Sequence, residues 1–382
     1  KILATAPDER SEQDRVDLAA FFRKQQLEEK LKALPPPRLV YAGASEFTPD
    51  GSFMPAKKPR PVHVLKRGDI NRPGEAATPG TLACVSALPS RFRVEDPNDE
   101  GSRRAALAKW LTDPRNPLTW RSIVNRVWHY HFGRGIVDTP NDFGRMGAQP
   151  THPELLDWLA ATFLENGGSL KELHRLIVTS AVYRQSSQHN ASYARIDSDN
   201  AFLWRMNRTR LDAESIRDAV LALTGKLDLT MGGPSVMHFL LSPGIHVTPK
   251  VDYSGFDVDR PESARRSVYR FVFRTLPDPF MDTLDCADSS QLTAKRNVSV
   301  TALQALAMLN NAFIVRQSEH LAERLGAMTS ELDFQLRTLY DLALGRPPTR
   351  RESDALAAYA NRHGLVNACR LVLNSNEFMF VN

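Results

Sequence analysis

Cysteine is scarce in this sequence of 382 residues, which has three, Cys84, Cys286 and Cys369. No two of them form a C-x-x-C pair, which excludes a zinc ribbon, a thioredoxin motif and a C-x-x-C-H attachment site for haem c in this chain. One disulfide would leave one thiol unpaired. We expect no cofactor and no bound metal within this chain.

Long apolar runs and a start signal are also missing. No run approaches the roughly 20 apolar residues that a helix needs to cross a bilayer, so we expect no transmembrane segment. The sequence opens on Lys1 rather than Met and shows no signal peptide. We therefore expect it to be a piece of a longer protein.

Neither sign of charge dominates the sequence. The 49 basic and 44 acidic side chains give a net charge of +5 and are interleaved along the chain, whereas phosphate-binding surfaces cluster their basic residues. We therefore expect no nucleic-acid partner. Most of the basic residues are arginines, which favours ion-pair networks or an anionic ligand, although a GC-rich genome would produce the same bias.

The length and the hydrophobic content of 42% suit a globular protein of two or three domains. We predict a mainly α (α+β) fold, an amphipathic helical bundle with a small β-containing subdomain near the N-terminus. We expect residues 1–60 to form a helical lead and a Pro-rich linker, the tail of a preceding domain. Residues 61–100 should form a small β-containing arm, and residues 101–382 a mainly helical domain.

Local patterns predict the elements. A charged helix is expected in residues 8–34, stopped by the prolines at 35–37, and short strands at 62–65 and 81–85. Apolar spacing predicts a helix from Trp120 to His131 that ends at Gly133.

Further along the chain, S/T-x-x-E patterns predict capping boxes at residues 151–154, 169–172 and 349–352, each at the start of a helix. Helices are also expected at 103–111, at 211–223 and at 300–325, the last broken near Asn310. Residues 266–274, rich in aromatic and β-branched side chains, are predicted to form a strand.

One pattern occurs twice. A capping box, a helix, a glycine and a second amphipathic helix lead to residues 174–180, and the same order leads to residues 369–375. A duplication giving two related helical halves would explain this, and so would chance among amphipathic helices.

The segment from Asn125 to Trp158 is the candidate functional centre, because it crowds Arg, His and Asp between two helices. Its candidate catalytic residues are Asp142, His152, His131 and His129, since a carboxylate beside an imidazole can tune a general base. The candidate substrate-binding residues are Arg126, Arg145, Arg134 and, from a polar loop elsewhere, Arg296.

Each candidate also has a structural explanation. Asp142 can cap a turn or pair with a neighbouring arginine, His131 continues the apolar stripe of its helix, and His152 can belong to a helix cap. His129 and His131 lie about 200° apart around a helix, so they are not expected to bind one metal ion.

Several short strings resemble a known family and recur in the same order. They are NRVW at 125–128, HFGRG at 131–135, DFG at 142–144, PTHPELLDWL at 150–159, MGGPS at 231–235, RRSVY at 265–269, LQAL at 303–306, LN at 309–310, LGRP at 344–347 and LNSNEF at 373–378. Over roughly Pro61 to Asn382, the chain resembles the C-terminal domain of unknown function of the large planctomycete cytochrome-c-type exported proteins.

The resemblance implies an exported protein, periplasmic or extracellular, with haem c in a neighbouring domain and a c-type cytochrome domain or protein as partner. Members of that family often accompany sulfatases and carbohydrate-binding modules, which points to polysaccharide as a substrate. The first hypothesis is thus a domain of a cytochrome-linked enzyme acting on extracellular polysaccharide. The alternative is a non-catalytic scaffold that docks a c-type cytochrome or another partner protein.

Overall fold

The computed structural model describes residues 2–34, 47–49, 51–56, 58–244 and 249–381. In these ranges the protein is mainly helical, with three small two-stranded antiparallel sheets, which confirms the predicted fold class. The chain forms two compact units, Lys1–Leu82 with Ser90–Lys109 and Ala83–Pro89 with Trp110–Asn382.

The first unit has two helices and one hairpin, α1 Glu12–Lys32, β1 His63–Leu65, β2 Pro73–Ala76 and most of α2 Glu100–Leu111. Ser11 caps α1, since its hydroxyl accepts from the Asp14 backbone N–H while the Asp14 carboxylate accepts from the Ser11 N–H. No residue of α1 is buried. The predicted helix and first strand are confirmed, and the prolines at 35–37 lie outside the described residues.

The predicted strand at 81–85 is wrong. These residues form turns, and the nearest ladder contact is a single bridge between Gly80 and Arg91. A strand needs a ladder of backbone hydrogen bonds to a neighbouring strand, and among the described residues only Thr81 of this run has such a bond, from its N–H to the Ser90 carbonyl at 2.8 Å. Val85 is nevertheless buried. The apolar residues of this run therefore indicated a buried segment rather than a strand.

The second unit carries the remaining elements, most of them helices. In chain order they are α3 Pro117–Phe132, α4 Pro153–Glu165, α5 Leu170–Thr179, α6 Ala181–Arg184, α7 Ala191–Ile196, β3 Thr209–Arg210, α8 Ala213–Thr224, β4 Leu240–Ser242, β5 Lys250–Asp252, α9 Pro279–Thr283, α10 Ala302–Asn310, α11 Ala312–Met328, α12 Leu332–Leu344, α13 Arg350–His363, α14 Leu365–Leu373, α15 Asn376–Met379 and β6 Phe380–Val381.

This unit has two hydrophobic cores. The first lies between α3, α4 and α5 and contains Trp128, Phe132 and Leu159. The second is built by α8 to α15 and contains Ile216, Leu321 and Leu339. The strand β3, which follows the helices of the first core, pairs with β6 at the far end of the chain.

The two stretches of repeated pattern adopt similar local structures. Each has a helix pair, α4–α5 and α13–α14, followed by a serine that caps a four-residue helix. Ser180 accepts from the Tyr183 N–H at the start of α6, and Ser375 accepts from the Phe378 N–H at the start of α15. Duplication remains a prediction, because local similarity does not separate it from chance.

Two local predictions in this unit are wrong. Residues 266–274 form a 3-10 turn at Ser267–Tyr269 and irregular chain, held by a bridge between Val236 and Arg270 rather than by a strand ladder. The box at 151–154 does not form either, since the N-cap of α4 is His152 and its side chain makes no capping bond. Thr151 instead donates its backbone N–H to the Ile136 carbonyl.

Other predictions here are confirmed. The Thr349 capping box is complete, the helix predicted at 211–223 forms as α8 and ends at Gly225, and the chain breaks between α10 and α11 at Asn311. Among the described residues, no helix combines the length and the apolarity that a membrane crossing requires.

Candidate functional site

The end of α3 is fixed by its cap and by a buried asparagine. Gly133 ends the helix with φ +74°, a conformation that glycine adopts without strain. Asn125, fully buried, donates to the Val137 carbonyl at 2.9 Å and accepts from the Val137 N–H at 2.8 Å. A Cβ on Gly135 would meet that amide at 2.9 Å, so the loop after α3 folds back closely onto the helix.

A cavity of about 350 Å³ opens beside this end of α3. Its wall includes His129 and His131 of α3, the strand β3, the residues that begin α8, the loop segment 295–298 and Val381 of β6. Three predicted site residues, His129, His131 and Arg296, therefore line the same space. The two histidines lie on different sides of α3, as helical geometry predicts, but the cavity is wide enough at the end of the helix for both to line it.

His129 is half-buried. Its Nδ1 atom is buried and has no hydrogen-bond partner among the described residues, whereas its Nε2 is not among the buried unpartnered atoms. Burial lowers the pKa of His129, nearby Lys295 lowers it further, and Asp138 opposes both. The ring is therefore neutral at physiological pH and has the free lone pair that a base requires.

His131 is also half-buried. Its Nε2 lies 2.7 Å from Nδ1 of His174 on α5, and the Tyr183 ring packs edge-on against it with centroids 5.5 Å apart. Burial lowers the pKa of His131, and the adjoining His174 lowers it further. Two neutral imidazoles thus line one cavity.

The cationic residues of the cavity wall are held by carboxylates. Arg296 contacts Glu214 at 2.5 Å and Asp212 at 3.7 Å, and the hydrogen bond to Glu214 raises the pKa of the guanidinium. Lys295 forms an ion pair with Asp138. These pairs attach the 295–298 loop to α8 and to the loop after α3.

A third pair is deeper. Arg210 of β3 donates to Asp285 at 2.8 Å, and their side chains are 3% and 16% exposed. Burial raises the pKa of Asp285, but hydrogen bonds from Ser299 and Gln304 and the charge of Arg210 outweigh it, so the pKa lies below its ordinary value. Asp285 therefore stays ionised and compensates the buried arginine.

The other predicted residues do not line this cavity. Asp142 accepts from the Gly144 N–H at 2.8 Å in a tight turn, and His152 contacts the Thr151 hydroxyl at 2.9 Å and packs edge-on against Phe202. Their catalytic roles remain predictions. The turn of Asp142 matches its structural explanation, whereas His152 occupies the N-cap position of α4 without a side-chain capping bond.

The predicted arginines of the Asn125–Trp158 segment also lie elsewhere. Arg126 donates to Asn141 and to the Pro140 carbonyl, Arg134 lies 3.7 Å from Asp138, and Arg145 is exposed. Arg134 reaches the cavity wall only through Asp138, the partner of Lys295.

Sequence reasoning missed Arg210, Asp212, Asp285 and His174. Arg210 and Asp285 lie 75 positions apart, and a pairing at that distance has no local signature in the sequence. Among the described residues, no cluster of three or more His, Cys, Asp or Glu side chains is arranged to hold a metal ion. The three cysteines are free thiols.

Comparison with known proteins gives one match. A family model described as PSD1, protein of unknown function (DUF1553), matches residues 103–360, which is 258 of the 382 residues. No curated protein and no solved structure matches the chain.

Proposed function

Because the chain belongs to the PSD1 (DUF1553) family, whose function is unknown, we propose a function from the geometry of the cavity. The second unit is an enzyme domain that acts on polysaccharide by acid–base catalysis, with the substrate bound beside the end of α3. The observation that carries this proposal is the convergence of His129, His131 and Arg296 on one cavity.

The two histidines supply the base. Both have lowered pKa values caused first by burial, so each is mostly unprotonated near neutral pH and can accept a proton from a hydroxyl group or water. Tyr130 and Tyr183 also line the cavity. Neighbouring aromatic and hydroxyl groups suit a sugar, which presents both apolar faces and hydroxyls.

The loop at 295–298 supplies positive charge. Lys295 and Arg296 are partly exposed, with side chains 41% and 30% accessible, and a sulfate or carboxylate group could exchange with their present carboxylate partners. Arginine binds such groups in a bidentate manner. The proposed substrate is therefore a sulfated or uronic polysaccharide.

The cellular setting rests on the resemblance of the sequence to planctomycete cytochrome-c-type proteins. In this proposal the domain is exported to the periplasm or beyond, and haem c belongs to a neighbouring domain or partner protein. The residues described above would bind the substrate and transfer protons, which requires no group from outside this chain.

The test is turnover of sulfated and uronic polysaccharides by the full chain and three variants. We expect His131→Gln and His129→Gln to lower turnover about 100-fold or more, the usual contribution of general acid–base catalysis. Asp142→Asn is the matched control from the same segment, and it should retain activity because Asp142 lies outside the cavity wall. Loss of activity in Asp142→Asn alone would overturn the assignment of the site.

A second candidate function is docking of a c-type cytochrome. The observation in its favour is a run of exposed apolar side chains in residues 292–306, where Leu292 is 97% and Leu303 is 71% exposed. Exposed apolar patches often mark interaction surfaces. No turnover of any polysaccharide, together with equal binding of a purified c-type cytochrome by wild type and His131→Gln, would favour docking over catalysis.

A further inference from the structure

The contact between His131 and His174 joins the cavity to the outer surface. His131 lines the cavity, His174 is exposed on α5, and Nε2 of the first lies 2.7 Å from Nδ1 of the second. At this distance the two nitrogens share a hydrogen, so one donates and the other accepts. Two protonated rings could not keep this contact, because both nitrogens would then carry a hydrogen.

The remaining ring nitrogens determine what the pair can do. Nδ1 of His131 and Nε2 of His174 have no hydrogen-bond partner in the described part of the chain. If His131 donates through Nε2–H, both rings are in the Nε2–H tautomer that a free imidazole prefers. The Nδ1 lone pair of His131 is then available to a ligand, while the Nε2–H of His174 is available to water.

We propose that His131 and His174 form a proton relay between the cavity and solvent, with His174 as the positioning residue. A substrate proton binds Nδ1 of His131, the Nε2 proton of His131 passes to Nδ1 of His174, and the Nε2 proton of His174 leaves to water. The reverse transfers deliver a proton from water through His174 and His131 to the product. Over one cycle the pair therefore takes up one proton for each proton that it releases. The use of the relay in catalysis rests on the proposed function, whereas the contact between the two rings does not depend on it.

The surroundings of the pair bear on its titration. Tyr183 of α6 packs edge-on against His131, while His129 and Tyr130 of α3 line the same cavity. On α5 itself, Lys171, Glu172 and Arg175 lie within one turn of His174. Across the cavity the charged groups are Arg210, Asp212, Asp285, Lys295 and Arg296. Each of those cations is paired with a carboxylate. After burial, the neighbouring His174 ring is the second cause that lowers the pKa of His131.

The test is a titration of the histidine ring nitrogens by NMR in the intact chain, which requires no substrate. In wild type, the His131 resonances should move in two steps separated by about one pH unit or more, because His131 exchanges its hydrogen with a neighbouring ring. In His174→Phe, His131 should titrate in one step. His363→Gln, at an exposed histidine of α13, is the matched control and should leave two steps.

A second variant separates a relay from a merely structural contact. His174→Asn keeps an acceptor near the position of Nδ1, so His131 should remain in the Nε2–H tautomer but titrate in one step. Single-step titration of His131 in wild type would overturn the relay. Coupled titration without any polysaccharide turnover would instead overturn the proposed function and leave the relay standing.

Discussion

Replacing Asp285 by asparagine should destabilise the second unit by about 3 kcal/mol, because it leaves the buried Arg210 without its anionic partner. Removing one member of a buried ion pair typically costs about 3–5 kcal/mol. Asp285 retains 16% exposure, and its Ser299 and Gln304 contacts can persist in part with an amide, so we expect the lower end. In a unit of this size that corresponds to a fall in Tm of roughly 6–12 °C.

The substitution by asparagine removes the charge at position 285 without straining the backbone. Asp285 has φ +61°, a left-handed conformation that Asn adopts readily and that costs other residues about 1–2 kcal/mol. Asp285→Ala should therefore be less stable than Asp285→Asn by about 1 kcal/mol or more. Asp288→Asn, at an exposed carboxylate of the same loop, is the control and should unfold like wild type.

Urea denaturation followed by tryptophan fluorescence reports on the correct unit. All five tryptophans, from Trp110 to Trp204, belong to the second unit. Because the folded pKa of Asp285 is lowered, the carboxylate stabilises the fold above its unfolded pKa of about 3.9. That contribution disappears as the pH falls through the folded value, so the difference between wild type and Asp285→Asn should narrow below about pH 4.

The reasoning would be refuted if Asp285→Asn unfolded at the same urea concentration as wild type and Asp288→Asn at pH 7. A difference that persisted unchanged into strong acid would show that shape, not charge, accounts for the loss.

Two further predictions concern other parts of the second unit. Asn125→Ala should lower the free energy of unfolding, measured by urea denaturation, by about 3 kcal/mol, because it leaves the Val137 N–H and carbonyl buried and unpaired. The control Asn141→Ala, at an exposed position, should lower it by less than about 1 kcal/mol. Equal losses in the two variants would contradict the role of Asn125. Iodoacetamide at pH 8 should label exposed Cys84 in the folded protein but not Cys286 or Cys369. Burial raises the pKa of these two thiols to about 11 and about 12, so neither is ionised at pH 8. Rapid labelling of Cys369 in the folded protein would contradict this prediction.

Most of the helical fold could be predicted from the sequence because its signals are local. The Thr349 box lies within one turn, and the glycines that end α3 and α8 act on their own helices. Residues 266–274 failed for the opposite reason. Their strand propensity was real, but the structure ties Ser267 to the Asp218 side chain and gives Arg270 only a single bridge, so no ladder formed.

The candidate site could be predicted only in part. The spacing of α3 drew attention to His129 and His131, but it could not show that His174, 43 residues later, would contact His131. Asp142 and His152 stood out by residue type, yet Asp142 lies in a local turn, His152 contacts Thr151, and neither lines the cavity. Residue type alone could not show which of the candidates tertiary packing brings to one cavity.

The pairing of β3 with β6 has a consequence for biosynthesis. Thr209 and Arg210 pair with Val381 and Phe380, and Val381 forms part of the cavity wall. A ribosome releases β3 long before it reaches residues 380–381, so β3 has no strand partner and the cavity wall lacks Val381 until then. A nascent chain therefore completes the cavity last, and a product that lacks those two residues would have it open on one side.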